Sequence, residues 1–205
     1  MAERTRLTGM ARWILAPVIW VFLCHSPAPA QSIEAPAPGV LLVAAEHMLD
    51  PRFRHTVVLL VEHDRTGTWG VIINRPTDIA AEDLLSSIEK PGDKSNVYFG
   101  GPVHIERLVF LYQDDTDSGS GGSGVTGLPG LHWSDSEPEL EKRLGRNPEQ
   151  LRVYAGYAGW TPGQLDFELA RGDWKMIRGR RDSVFSRDPE RLWQSLIDVL
   201  GGIAI

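Results

Sequence analysis

Apolar residues along this chain fall into short runs separated by turn residues, a pattern that is typical of strands. The predicted strands are residues 40–45, 56–61, 69–73, 97–99, 107–112, 151–157 and 174–177. Residues 56–61 have no polar face, so we expect this strand to lie centrally in a sheet, covered on both sides. The turn sequence 64–67, Asp-Arg-Thr-Gly, predicts that strands 56–61 and 69–73 form a β-hairpin. Arg75-Pro76 ends the strand at residues 69–73.

Helices are predicted by their start and stop signals. Ser136 with Glu139 forms a capping box for a helix that ends at Gly145. The sequence 161–164, Thr-Pro-Gly-Gln, predicts a second helix that runs to about residue 171. Asp188-Pro189 opens a third, which Gly201 ends. Its apolar stripe comprises Leu192, Leu196, Val199 and Leu200, and a short amphipathic helix is expected around Leu84, Leu85 and Ile88.

Strands and helices alternate along the chain, and an early hairpin is present. We therefore predict one α+β domain, with a mixed sheet and helices on its outside. Residues 114–130 are rich in glycine, serine and aspartate, so we expect a mobile surface loop that contributes nothing to the core.

The first thirty residues resemble an export signal. Arginines precede a 12-residue apolar run, residues 13–24, and Ala28 and Ala30 give a small-x-small cleavage site. A spanning helix needs ~20 apolar residues, so a cleaved signal is favoured over an anchor. We expect residues 1–30 to be a signal peptide, 31–38 a spacer and 39–205 the folded domain, in the periplasm or secreted. The alternatives are an uncleaved anchor, or a start codon placed too early.

Charge and cysteine content exclude some classes of function. The 205-residue chain has a net charge of −6, and removal of residues 1–30 takes away three arginines and one glutamate, which makes it −8. This acidic balance argues against general nucleic-acid binding. The same cut removes Cys24, the only cysteine, so the mature chain would lack a thiol nucleophile and a thiolate metal site.

Candidate binding residues cluster at two junctions. Tyr157, Trp160 and Gln164 lie where a strand meets a helix, and the helix N-terminus could hold an anion. Gly100 and Gly101 could let the backbone approach a ligand. The simpler interpretations are a helix whose donors are already capped and a tight turn.

Weaker candidates lie at the two ends of the hairpin. His63 could act as a general base or metal ligand, oriented by Glu62 or Asp64, although a polar turn is the simpler interpretation. Asn74 and Arg75 lie at the opposite end and need not meet it. No metal or cofactor is expected, because the histidines are scattered and the aspartates near residue 115 do not follow a calcium-loop order.

Four segments together resemble the YqgE/AlgH family of bacterial proteins. The segments are D-P-x-F-x-x-T-V-V-L-L-x-E-H from residue 50, G-x-x-G-V-I-I-N-R-P from 67, Y-F-G-G-P-V from 98 and G-Y-A-G-W-x-P-G-Q-L from 156. The resemblance implies an α+β fold whose bifurcated sheet curls into a pseudo-barrel. It implies no catalytic residues, since family members are labelled uncharacterised proteins or regulators of transcription, one branch being associated with alginate production.

We therefore expect a non-enzymatic binding or regulatory protein that acts through an unidentified protein partner. No catalytic constellation is legible, because the chain has no Gly-x-Ser-x-Gly sequence for a hydrolase. One alternative is a small-ligand binder or an enzyme of unknown reaction. The other is a cytoplasmic transcriptional regulator, as for typical family members, which requires that residues 1–30 not act as a signal.

Overall fold

The computed structural model describes residues 35–85, 96–114, 122–144 and 148–201. Its strands are β1 Val40–Ala44, β2 Val57–Asp64, β3 Gly67–Ile72, β4 Pro76–Ala80, β5 Asn96–Phe99, β6 Val103–Gln113, β7 Ser123–Gly124, β8 Leu131–Ser134, β9 Leu151–Trp160 and β10 Trp174–Arg178. Its helices are α1 Ala81–Leu84, α2 Glu137–Arg143, α3 Gln164–Ala170, α4 Arg181–Val184 and α5 Pro189–Gly201, and Pro148–Gln150 form a 3₁₀ turn.

One sheet contains all ten strands of the described residues. Its main order is β10-β1-β2-β3-β9-β6-β8-β7, with antiparallel neighbours throughout. β5 runs parallel to β9 and carries β4 on its other side, so the sheet is mixed. The fold is α+β, and the sheet curls into a half-barrel.

Strand β9 is where the sheet divides into two branches. Its C-terminal residues 158–160 pair with β3, whereas residues 153–155 pair with β5 along the same edge. Gly156, at φ 70°, separates the two pairings. Gly100 lies in this fork, where its carbonyl accepts a bond from Ile72 N (2.8 Å) and its N–H donates to Ala155 O (2.9 Å). Backbone bonds to both branches therefore fix the fork.

Apolar side chains pack on both faces of the sheet. On the inner face, residues of the central strands pack against Leu192, Trp193 and Ile197 of α5. The outer face is covered in two patches, one under α3 and the loop around Phe53, the other under α1 and α2. The first half of β2 is buried on both faces, as its unbroken apolar run predicts.

The hairpin prediction is confirmed, and β2 lies between β1 and β3 as expected. Asp64 pairs with Gly67 across the turn. Pro76 follows the end of β3 and opens the short strand β4, a position that proline tolerates.

Helix boundaries differ from the sequence prediction in detail. α3 begins at Gln164, because Gly163 takes the N-cap position in the left-handed region (φ 77°). Gln164 Oε1 accepts a bond from Thr161 N at 3.1 Å, so only half of the expected capping arrangement forms. Ser136 makes no side-chain cap bond at α2. In α5, Val199 is 52% exposed and does not belong to the buried stripe. Gly145, the predicted end of α2, and Ile88 of the predicted short amphipathic helix lie outside the described residues.

The loop prediction for 114–130 is wrong for its second half. Val125 and Leu128 are buried in the inner core, and Ser123–Gly124 forms β7. Val125 N donates to Leu131 O at 2.8 Å, and the left-handed glycines Gly127 and Gly130 allow the tight turns between them. The glycine- and serine-rich composition of this segment did not indicate that it is ordered, because only two apolar residues, Val125 and Leu128, attach it to the core. Residues 115–121 lie outside the described residues, as do the predicted signal peptide and residues 31–34 of the spacer.

Candidate functional site

Four aromatic residues line a cavity of about 520 Å³ on the inner side of the sheet, which we call the aromatic pocket. The rings of Trp69 of β3, Trp133 of β8 and Tyr157 of β9 form one cluster, and Trp160 at the end of β9 is the fourth. The ring of Trp69 lies 4.8 Å from that of Trp133 and 5.9 Å from that of Tyr157, nearly perpendicular to both (81° and 73°). These edge-to-face contacts fix the three rings relative to one another.

Strand register explains why the pocket is open beside Trp69. Trp69 pairs with Gly159 of β9, which has no side chain to fill the space next to the indole. A Cβ at Gly159 would lie 3.3 Å from the Tyr157 ring. The glycine therefore leaves room between two aromatic residues of the pocket.

The rim of the pocket is polar, and its groups are held in place. Glu62 Oε2 accepts a bond from the Trp69 indole N–H at 3.0 Å. Asp64 Oδ1 accepts bonds from Thr66 N (2.7 Å) and Thr66 Oγ1 (2.6 Å). The hydrogen bond from the Thr66 hydroxyl has the larger effect and the bond from its backbone N–H the next. Both lower the pKa of Asp64 below its usual value, so the carboxylate stays ionised.

Among the described residues that line the pocket, Arg107 is the one with a positively charged side chain. Its guanidinium donates to the Asp135 carboxylate in an ion pair. This hydrogen bond raises the pKa of Arg107 above its ordinary value. Asp135 therefore neutralises the charge that Arg107 brings to the rim.

A second cavity of about 440 Å³ lies on the other side of the β9–α3 junction. We call it the Glu168 cavity. Glu168 Oε2 accepts bonds from the indole N–H groups of both Trp160 and Trp174, each at 2.8 Å. Gln164 Nε2 donates to Glu168 Oε1 at 3.0 Å. The two cavities share a wall formed by Val103, Gly159, Trp160 and Gln164.

The structure brings together four of the candidates from the sequence. Tyr157, Trp160 and Gln164 line the aromatic pocket together with Glu62, which comes from the hairpin. The sequence suggested two separate clusters here, and the pairing of β3 with β9 joins them.

Gly100 and Gly101 line neither cavity. Both are buried against β9, where a Cβ on Gly100 would overlap the Gly156 carbonyl and one on Gly101 would overlap the Tyr157 backbone. The two glycines are required because the backbone comes very close to another group, as the sequence suggested. That group is the protein's own strand β9 and not a ligand.

His63 does not line either described cavity. Its Nδ1 lies 2.7 Å from Thr68 Oγ1 across the hairpin. Within the described ranges, no group of three or more histidine, cysteine, aspartate or glutamate side chains is arranged to hold a metal ion.

Asn74 and Arg75 hold the loop between β1 and β2. Asn74 is buried, accepts a bond from Val57 N (2.8 Å) and donates to His55 O (3.0 Å). Arg75 donates to the carbonyls of Arg52 (2.6 Å) and Arg54 (2.8 Å), and partial burial lowers its pKa. The loop carries Phe53, whose ring stacks 6.3 Å from Trp160. Both residues therefore support a wall of the Glu168 cavity from a distance.

Sequence reasoning missed Trp69, Trp133 and Arg107 as site residues. Trp69 is part of an apolar run and resembles any core residue of a strand. Trp133 lies in a stretch that gave no clear strand signal. The signal that the two tryptophans share is a large aromatic ring left half-buried, which only the three-dimensional packing shows.

No helix among the described residues is long and apolar enough to cross a membrane. This finding covers none of the first 34 residues.

Comparison with known proteins gives one consistent relationship. The AlgH-like family model matches residues 41–204. A UPF0301 protein of Streptomyces avermitilis is 38% identical over 171 residues, which covers 78% of this chain and 84% of the relative. A UPF0301 protein of Chlorobaculum tepidum is 31% identical over 169 residues, which covers 80% and 87%.

Two solved structures share the fold. The solution structure of the AlgH protein from Pseudomonas aeruginosa aligns with a TM-score of 0.67 at 29% identity, over 83% of this chain and 93% of that one. Protein DIP2367 from Corynebacterium diphtheriae aligns with a TM-score of 0.66 at 26% identity, over 82% and 90%. The family match, the relatives and the shared half-barrel agree: this chain belongs to the AlgH-like family, whose relatives carry the name UPF0301.

Proposed function

We propose that this protein is a non-enzymatic binding protein that holds a segment of a protein partner in the aromatic pocket. The observation that carries the proposal is the Trp69 ring, which lies nearly perpendicular to the rings of both Trp133 and Tyr157 beside an open cavity of about 520 Å³. Half-buried tryptophan and tyrosine rings are the side chains that contribute most to protein–protein binding.

The polar groups of the pocket favour binding over chemistry. Glu62 is engaged by the Trp69 indole, Arg107 by Asp135, and Gln164 by Thr161 and Glu168. No histidine, cysteine, serine or lysine is among the described residues that line the pocket. The Ser–His and Cys–His pairs of many hydrolytic enzymes would need such residues within hydrogen-bond reach of one another.

A small-molecule ligand is the second candidate. The volume of the pocket falls within the roughly 300–1,000 Å³ that is usual for such sites. A thermal-shift screen over metabolites addresses this candidate. A compound that stabilises the wild-type protein and not the Trp69→Phe variant would favour it over a peptide.

We further propose that the protein is exported and meets its partner in the periplasm. The support is the arginine-flanked apolar run with its small-x-small site, and the acidic mature chain. A cytoplasmic regulator that binds DNA directly would have to overcome this acidic charge.

A displayed library of random 12-residue peptides tests the binding proposal. The library is selected on immobilised wild-type protein after depletion on the Trp133→Ala variant. We expect enriched peptides whose affinity falls by about tenfold or more in Trp133→Ala and Trp69→Phe, as central aromatic residues of an interface do.

The matched control is Phe167→Ala. Phe167 is 74% exposed on α3 and lines neither cavity, so its removal should leave peptide affinity unchanged. Because Trp133 packs partly on the core, circular dichroism and unfolding must first show that its variant folds. Peptides that bind all variants equally, or no enrichment at all, would refute the proposal.

A further inference from the structure

Carboxylates outweigh cations around the aromatic pocket. Among the described residues that line it, the ionisable acids and bases besides Tyr157 are Glu62, Asp64 and Arg107. Arg107 is already paired with Asp135, so its charge is compensated. Two exposed carboxylates, Glu62 and Asp64, therefore remain to set the electrostatic potential at the mouth of the pocket.

The two carboxylates lie on one side of the pocket, next to the rings. Both belong to the last residues of β2, and Glu62 pairs directly with Trp69 across the hairpin. Asp64 is fixed by its bonds to Thr66, and Glu62 is fixed by the Trp69 indole. Their positions therefore require no ordering when a ligand binds, which lowers the entropic cost of binding.

Aromatic rings and carboxylates together form a site that attracts a cation in two ways. The face of a tryptophan or tyrosine ring attracts a cation within about 6 Å of its centroid. A carboxylate attracts the same cation electrostatically, and the apolar ring edges favour the methylene stem of an arginine or lysine side chain.

We propose that the aromatic pocket binds a basic side chain, arginine or lysine, presented by the partner segment. This inference rests on the proposed binding function and adds the chemistry of the residue that enters the pocket. The aromatic walls contact the stem, and Glu62 and Asp64 pair with the charged end. Charge complementarity between the acidic rim and a basic segment carries the inference.

Other charged or titratable residues lie near the pocket without lining it, and they include His104, Glu168 and Arg65, which is exposed on the hairpin turn next to Asp64. His104 stacks at 6.1 Å on Tyr157, but it is paired with Glu106 (3.0 Å). Glu168 lies behind Trp160 and Gln164, and its oxygens accept bonds from those side chains. The chain as a whole is acidic as well, at a net charge of −6, which favours encounter with a basic partner.

The test uses a defined probe, the pentapeptide acetyl-Gly-Gly-Arg-Gly-Gly-amide, and its citrulline counterpart, which has the same shape without the charge. Binding is followed by NMR through the indole N–H resonance of Trp69, assigned with the Trp69→Phe variant. We expect a saturable shift at millimolar concentration with the arginine peptide, and affinity lower by on the order of tenfold with the citrulline peptide.

Two isosteric substitutions provide the protein side of the test. Glu62→Gln with Asp64→Asn keeps the acceptor oxygens that hold Trp69 and Thr66 but removes both charges. We expect this double variant to bind the arginine peptide only as weakly as the citrulline peptide. Glu190→Gln, an exposed carboxylate of α5 outside the pocket, is the matched control and should bind as the wild type does.

The outcomes separate this inference from the proposed function. Equal affinity for the arginine and citrulline peptides, or full affinity in the double variant, overturns the preference for a basic side chain. If peptides from the displayed library bind through Trp69 and Trp133 yet lack basic residues, the binding function stands and the charge preference fails. If no peptide shifts the Trp69 resonance, both fail.

Discussion

Single residues hold the walls of both cavities through bonds that their sequence positions do not reveal. Glu168 is the clearest example, because one carboxylate accepts bonds from two indoles, Trp160 and Trp174, and from Gln164. Both indoles are buried, so their N–H groups have lost contact with bulk water. A buried donor without its acceptor costs about 1–3 kcal/mol.

We therefore expect Glu168→Ala to lower the free energy of unfolding by about 2–4 kcal/mol, since two buried donors lose their acceptor. Glu168→Gln should cost less, because its carbonyl oxygen can still accept. Urea unfolding measures both, with Asp166→Ala on the exposed side of α3 as the control, expected within about 0.5 kcal/mol of wild type. Equal costs for the alanine and glutamine variants would contradict this account.

Asn74 is predicted to be structural. Asn74→Ala removes the acceptor for Val57 N and the donor to His55 O at a buried position, so we expect a loss of about 2–3 kcal/mol. Hydrogen exchange should also show faster opening of the loop before β2. The exposed Asn96→Ala provides the comparison, and a loss below 0.5 kcal/mol at Asn74 would show that its bonds are replaced.

At the scale of elements, the fork in β9 organises the sheet. The change of partner from β5 to β3 occurs at Gly156, whose φ of 70° excludes most side chains. A Cβ there would lie 2.5 Å from the Gly101 carbonyl oxygen and 2.8 Å from that of Val103. Both conformation and close packing therefore require glycine at the fork.

Two substitutions to alanine separate these causes. Gly163 has nearly the same φ (77°) as Gly156, but nothing lies within 4 Å of its Cβ position. Gly163→Ala should cost about 1–2 kcal/mol for the backbone conformation alone. Gly156→Ala should cost about 1–3 kcal/mol more, because the backbone of residues 101–105 must shift. Equal changes in the denaturation midpoint of the two variants would show that the fork tolerates a side chain.

Sequence patterns predicted local features well and distant pairings poorly. The hairpin of β2 and β3 and the start of α5 follow from turn and cap residues that are neighbours in the chain. Tyr157, Trp160 and Gln164 of the candidate site could be predicted for the same reason, because they are close together in the chain. The fork could not be predicted, because alternation shows that residues 151–157 form a strand but not that β9 changes its partner from β5 to β3 along one edge. Trp69, Trp133 and Arg107 come from β3, β8 and β6, which come together because β9 pairs with both β3 and β6.

At the scale of the whole molecule, the export signal that we propose in residues 1–30 would set the compartment in which the acidic domain acts. We predict that the full chain, expressed in a Gram-negative host, yields a periplasmic product that begins at Gln31, as mass spectrometry of the intact protein would show. Ala30→Glu should block cleavage, because the site requires a small residue. An intact wild-type chain in the cytoplasm would instead favour a cytoplasmic regulator.

The strand order of the sheet also constrains how the chain can fold. β3 and β6 both have to wait for β9, and β1 has to wait for β10, which lies far along the chain. Such non-local pairing gives a high contact order and slow folding. Until β9 pairs with β3, the early hairpin has an open edge that can join the edge of another unfolded chain. The risk of misassembly is therefore greatest before β9 is in place.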